Sequence, residues 1–207
     1  MTVGSPTNDS STSRRLTLAD IADQRAYERE RPEFRERMLE QRRRRRVTLG
    51  TLITVSFESR DTIRYQIQEM ARAEKLTTDD EIQVELDTYN PLVPEAGQLC
   101  ATLFLELTSE PQMQEWLPKL VGIEAHIVLE LADGRTVRSV AEAQHATQLT
   151  REHVTSAVHY VTFAFDEPLR AALRGGPVNL VIDHPAYLER VELSDLTVRE
   201  LVADITG

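Results

Sequence analysis

Two stretches of this chain carry apolar side chains at every second position, and that period does most to narrow the folds open to it. In V-T-L-G-T-L-I-T-V-S-F-E, residues Val47, Leu49, Thr51, Ile53, Val55 and Phe57 alternate with smaller or polar ones. In L-C-A-T-L-F-L-E-L-T the series is Leu99, Ala101, Leu103, Leu105 and Leu107. A period of two puts one set of side chains on one face of a strand, so residues 47–57 predict a half-buried strand and 99–107 a central one. Between them the period changes to that of a helix. Asp61 caps a helix through about Glu74 with Ile63, Ile67, Met70 and Ala71 on one face. Thr78-Asp79-Asp80-Glu81 has capping-box spacing and opens a second helix, with Ile82, Leu86 and Tyr89 inward and Asn90-Pro91 as its stop.

Further along, a short helix runs from Glu110 to about Val121 and Gly122 ends it. Asp133-Gly134 marks a hairpin between 124–131 and 136–140. A strand is predicted over 156–165, a short helix over 168–174, strands near 178–183 and 188–193, and a terminal helix over 195–205. Strands and helices do not alternate regularly, so the fold class is α+β: an antiparallel or mixed β-sheet flanked by helices. Ahead of this domain, 47–207, residues 1–15 read as a disordered leader rich in Ser, Thr, Asn and Pro. Residues 16–46 read as a charged helical arm. Thr17 caps its first helix, with Leu18, Ile21, Ala22 and Tyr27, and Pro32 breaks or restarts it. Phe34, Met38 and Leu39 form a thin apolar stripe, fit for an arm lying across the domain or toward a partner.

Charge is unevenly spread. Residues 1–46 hold 12 arginines against 8 acids, and the rest 12 basic against 26 acidic groups. The body repels polyanions, so nucleic acid is not an expected partner. Arg42, Arg43, Arg44, Arg45 and Arg46 form a run that suits an anion; set against that, cations at a helix C-terminus simply favour the dipole and lie against an acidic body. With Cys100 as the single cysteine, an internal disulfide, a thiolate zinc site and an iron–sulfur cluster of the chain's own are excluded. The thiol sits in an apolar strand pattern and reads as buried and inert. No apolar run reaches bilayer length and the first residues lack a secretory signal's apolar core, so a cytoplasmic protein is expected. Nucleotide-binding glycine loops and a G-x-S-x-G elbow are absent from the sequence, and no cofactor is expected.

Polar groups on the inward helix faces are the candidates for chemistry. Gln66 lies about 60° and Glu74 about 20° from the apolar axis through Ile63, and Glu85 about 60° from Ile82. Packed as a hairpin on the sheet, these helices would bring Gln66, Glu74 and Glu85 together at its edge, with Arg72 or Arg60 as counter-charge. Such a cluster could bind a metal, supply a general acid and base, or fix a helix angle as a structural network. The histidines are His126, His145, His153, His159 and His184, with no zinc-peptidase spacing. His159 shares a strand face with Val161, Phe163 and Phe165 and should be buried; His126 shares one with Val128 and Glu130. Glu74, Glu85, His126 and His159 are therefore the metal candidates.

The segments F-E-S-R-D-T-I-R-Y-Q-I-Q-E-M-A-R-A-E, E-L-D-T-Y-N-P-L-V-P and L-C-A-T-L-F-L-E resemble a bacterial family known as domain of unknown function 3501, from about Leu16 onward. The resemblance implies a polar motif of Glu58, Arg60, Asp61, Gln66, Gln68, Glu69, Arg72, Glu74, Glu85, Tyr89, Asn90 and Pro94, without roles. It also implies genes lying beside those of rubrerythrin-like di-iron proteins and iron–sulfur oxidoreductases. The expected function is a non-catalytic accessory or binding protein that works with such a redox metalloprotein in oxidative-stress defence, the arm and the motif serving as contact surfaces. The alternative is a metal-dependent or acid–base enzyme built on Glu69, Glu74, Glu85 and His159. Self-association is left open.

Overall fold

A computed structural model of the chain describes residues 14–142 and 154–206. The first half runs α1 (Gln24–Arg45), β1 (Arg46–Leu49), β2 (Ile53–Phe57), α2 (Arg60–Glu74), α3 (Asp79–Tyr89), β3 (Gln98–Leu105) and α4 (Glu110–Lys119). There follow β4 (Ile127–Glu130), β5 (Thr136–Arg138), β6 (Val140–Ala141), β7 (Val158–Ala164), α5 (Glu167–Leu173), β8 (Asn179–His184), β9 (Tyr187–Glu192) and α6 (Asp195–Thr206). It is an α+β protein with two sheets, ordered β1-β2-β3-β7-β6 and β5-β4-β8-β9, and every strand pair is antiparallel.

The expected strand over 47–57 is folded back on itself. Leu49 stands opposite Ile53, so the turn keeps both arms' odd-numbered residues on one face and leaves the period unbroken. Gly50 makes the turn with φ of 59°, and a Cβ there would run into the Tyr187 hydroxyl. That hydroxyl donates to the Leu49 carbonyl at 2.8 Å and accepts from the amides of Thr51 and Leu52, both at 3.1 Å. A β9 side chain thus closes the hairpin of the other sheet. Between the sheets lies the main core, where Val55, Leu103, Phe163, Ile127, Leu129, Leu180 and Ile182 meet Leu201 and Ile205 of α6. The Asp133-Gly134 hairpin forms in the register Leu129↔Val137.

The other face of the first sheet is covered by helices, with Ile63, Ile67, Leu86, Leu92 and Leu16 in a second cluster. Three local readings need correction. Ser59, not Asp61, caps α2: its hydroxyl accepts from the Thr62 amide at 3.3 Å while Thr62 Oγ1 accepts from the Ser59 amide at 2.8 Å. Thr17 and Asp20 close only a single turn, Leu18–Asp20, and Asp23 is the cap of α1. That helix also runs through Pro32, which deprives only the Glu28 carbonyl of its bond. Tyr27 and Phe34 flank the proline and pack in one cluster with Tyr65 of α2, so packing holds both halves on one axis. The α3 capping box forms as predicted, Glu81 accepting from the amides of Thr77 and Thr78 at 2.9 and 3.0 Å.

At its far end α1 is anchored by a buried ion pair. Arg45, 2% exposed, reaches Asp204 at 2.5 and 3.0 Å and Glu200 at 3.0 Å on α6. Removing Asp204 takes away two of the three carboxylate contacts of the buried guanidinium and leaves it Glu200 alone. Asp204→Ala should therefore cost about 3–5 kcal/mol, whereas Arg43→Ala on the exposed side should stay within about 0.5 kcal/mol; urea unfolding midpoints of the two variants check this.

Candidate functional site

The helix-facing side of the first sheet is chemically unlike its core side. Ser56, Thr102 and Tyr160 stand opposite one another across β2, β3 and β7, and Thr54, Phe104 and Val158 form the next row. Of the hydroxyl-bearing residues in these rows, Thr54 and Thr102 are buried, and their hydroxyls need partners. Glu58, just after β2, provides one for Thr102: its Oε1 accepts from Thr102 Oγ1 and its Oε2 from Thr62 Oγ1 of α2, both at 2.7 Å. Thr62 and Thr102 are only 1% and 5% exposed, so the carboxylate is aimed by two buried groups.

Around Glu58 the sheet and α2 do not close-pack, and a cavity of about 310 Å³ remains. Ser56, Thr102, Phe104, Val158 and Tyr160 line it from the sheet; Thr62, Ile63 and Gln66 from α2; Tyr89 from the end of α3 and Leu92 just beyond it; Arg42 from the last turn of α1 and Arg46 from the start of β1. Burial, and then the neighbouring Tyr89 and Glu58, push the Tyr160 phenol above its ordinary value, so it keeps its proton and can donate. Arg42 lies over the Tyr65 ring, 5.2 Å from its centroid, and Arg46 over Phe104 at 5.7 Å. The rest of the arginine run is paired with acids: Arg43 and Arg44 with Glu40, Arg44 and Arg45 with Glu200, and Arg46 with Glu106. Among the described residues, Arg42 alone in the run has no carboxylate within 4.0 Å.

The polar motif thus divides in two. Glu58, Gln66 and Tyr89 line the cavity. Five others, Arg60, Gln68, Glu69, Arg72 and Asn90, fasten residues 14–31 onto α2 and α3. Arg60 reaches Asp20 at 2.6 Å and the Arg14 carbonyl at 3.0 Å; Arg72 reaches Glu28 at 2.5 Å. The Gln68 side chain accepts from the Ala22 amide at 2.6 Å and donates to its carbonyl at 3.2 Å. Asn90 does the same for Leu16, at 2.7 and 2.9 Å. Glu69 takes both arms of Arg31, at 2.8 and 2.9 Å, and the Tyr27 hydroxyl at 2.6 Å. Arg31 is the main reason its carboxyl is held low.

Two expected associations are corrected. Arg60 and Arg72 do not counter Glu74 and Glu85, because the arm brings Asp20 and Glu28 nearer. Burial, then the charge of nearby Glu74, raises the Glu85 carboxyl. Nor do the metal candidates meet in one place. Glu74 and Glu85 belong to the helix layer, whereas His159 points into the inter-sheet side, opposite Leu103. His126 pairs with Asp183 at 2.8 Å, a carboxylate that Arg138 chiefly holds down to about 2. Among the described residues no group of three or more His, Cys, Asp or Glu is placed to hold a metal ion; His145 and His153 lie outside them. Cys100 is buried, and burial pushes its thiol up to about 12.

The chain matches the family described as "Protein of unknown function (DUF3501)" over residues 15–205 and belongs to it. It is similar to a solved structure described as a novel protein of unknown function from Burkholderia pseudomallei K96243. The two share 35% identity and a TM-score of 0.83, over 92% of this chain and 98% of that one. No curated protein matches the chain. No helix among the described residues is long and apolar enough to cross a membrane.

His159, on the opposite face of the first sheet from the cavity, gives the fold a pH signature. Its Nε2 donates to the Ser156 carbonyl at 3.0 Å, leaving Nδ1 toward Glu124, 3.7 Å away. Burial holds the imidazole below its ordinary 6.5, outweighing the pull of Glu124. The unfolded chain then binds the proton more readily than the native one. The neutral imidazole's contribution is therefore complete above the ordinary value and falls away as pH drops toward the lowered one. Between about pH 7 and about pH 5 the unfolding midpoint of the wild type should fall more than that of His159→Gln; parallel slopes would contradict this.

Proposed function

We propose that this chain is a non-catalytic binding protein that holds a small polar molecule in the Glu58 cavity and serves as an accessory to a redox metalloprotein. The observation that carries the first part is the Glu58 carboxylate, held by two buried threonine hydroxyls at 2.7 Å and facing an open volume of about 310 Å³. An oriented acceptor beside phenol, amide and guanidinium donors is an apparatus for recognition. The volume suits one small metabolite, being at the lower end of the range of about 300–1,000 Å³ for ligand sites.

The accessory role, in oxidative-stress defence beside a rubrerythrin-like di-iron protein or an iron–sulfur oxidoreductase, is supported by the gene neighbourhood that the family resemblance implies. It also accords with Cys100, a buried thiol unsuited to carrying electrons itself. Arg60, Gln68, Glu69, Arg72 and Asn90 of the polar motif are occupied by the arm, so the contact surface in this reading is the outward side of α1, where Glu33, Glu36, Leu39 and Arg43 are exposed.

Native mass spectrometry of the full chain, incubated with a small-metabolite extract, tests the binding reading. A one-to-one adduct is expected for the wild type and its loss for Gln66→Trp, which fills the cavity; no adduct, or one that survives the substitution, overturns it. Retention of a purified rubrerythrin-like protein or iron–sulfur oxidoreductase on the immobilised chain under reducing conditions tests the accessory role. Absence of retention at low salt removes that role alone.

A further inference from the structure

Resting on the reading of the Glu58 cavity as a ligand site, we infer that its ligand is a small zwitterion of the amino-acid type. Its carboxylate faces Arg42, its protonated amine meets Glu58, and its apolar side group lies between sheet and helix. The cavity is lined by one carboxylate and two guanidiniums, and these opposite charges do not neutralise one another. Glu58 is taken by Thr62 and Thr102, and Arg46 by Glu106 at 2.5 Å. Arg42, with no carboxylate within 4.0 Å among the described residues, rests on Tyr65. Opposite charges that border a shared space without pairing favour a guest with the complementary charges at its two ends.

Each end has the chemistry for its half of such a guest. A carboxylate oxygen has two lone-pair directions, and the threonines occupy one on each oxygen of Glu58, so acceptor capacity remains for an ammonium group. A guanidinium held over an aromatic face by cation–π attraction still has N–H donors to offer a carboxylate. Ile63, Leu92, Phe104 and Val158 line the space as well, and they favour an aliphatic or aromatic side group over a charged one. A volume of about 310 Å³ accommodates a single amino acid.

Calorimetric titration of the full chain with the twenty proteinogenic amino acids tests this, followed by the N-acetyl and carboxamide derivatives of whichever binds, and inorganic phosphate as an anion without an amine. An apolar amino acid such as L-leucine is expected to bind, with each derivative weaker by at least about tenfold, since each loses one charge pair. Arg42→Gln should abolish the preference for carboxylate over carboxamide, and Glu58→Gln the preference for free over acetylated amine. Both readouts are ratios within one variant, which a general loss of stability does not produce. Equal binding of the N-acetyl form, or saturation by phosphate alone, overturns the zwitterion and leaves a binding cavity. No amino-acid binding alongside a metabolite adduct that Gln66→Trp removes has the same meaning, whereas absence of any adduct removes the binding reading too.

Discussion

The first sheet is buried on both faces, and its faces differ in chemistry. Toward the second sheet it presents Val55, Leu103, Val161 and Phe163, which need only be packed. Toward the helices it presents Ser56, Thr102 and Tyr160, whose hydroxyls need hydrogen-bond partners wherever water is excluded. An apolar helix laid flat on that row would strand them. Instead the chain leaves β2 through Glu58 and enters α2 at Ser59, so the carboxylate lies between Thr102 of the strand and Thr62 of the helix. Satisfying Thr102 in this way places a carboxylate between the start of α2 and the sheet, and the cavity opens beside it.

That arrangement requires α2 to be held from its other side, and the arm does this. Arg60, Arg64, Gln68 and Arg72 recur every fourth residue along α2 and all bond to residues 14–30. Individually the exposed pairs contribute little. The buried members, Gln68 and the Tyr27–Phe34–Met38–Tyr65 cluster, set the position. At the far end Arg45 ties α1 to α6, and that fixes where Arg42 and Arg46 meet the cavity. Arg60, Glu69 and Arg72 of the motif therefore serve assembly, and in the proposed reading recognition rests on the few groups left facing the open volume.

Much of the fold was legible in the sequence because period and punctuation are local. The Thr78–Glu81 box, the Asp133-Gly134 hairpin and the odd-numbered core residues of β3 each declare themselves within a few positions. The turn at Gly50 was hidden because it preserves parity. The continuity of α1 was hidden because tertiary packing, not propensity, overrides Pro32. Of the site, Gln66 could be singled out from helix geometry and Glu58 and Tyr89 only through the family resemblance, but not their separation from Glu69, Arg60 and Arg72, which depends on how the arm docks. Thr62, Thr102, Tyr160 and the distinct position of Arg42 were missed as site residues. For Thr102 and Tyr160 the signal was a hydroxyl at an even-numbered position in a strand whose odd positions are apolar, and it gains meaning only once both faces of the sheet are known to be covered.

The structure holds a second sizeable opening, about 420 Å³, between Leu18, Ile21, Ala71 and Ile82, and it provides a direct control. Backbone amide shifts of the labelled full chain, followed while small amino acids are titrated in, locate any binding. The account predicts shifts concentrated at Thr62, Gln66, Thr102, Phe104 and Tyr160. Shifts centred on Leu18 to Ala22 and Ile82, with the Thr102 and Tyr160 amides unmoved, would contradict it.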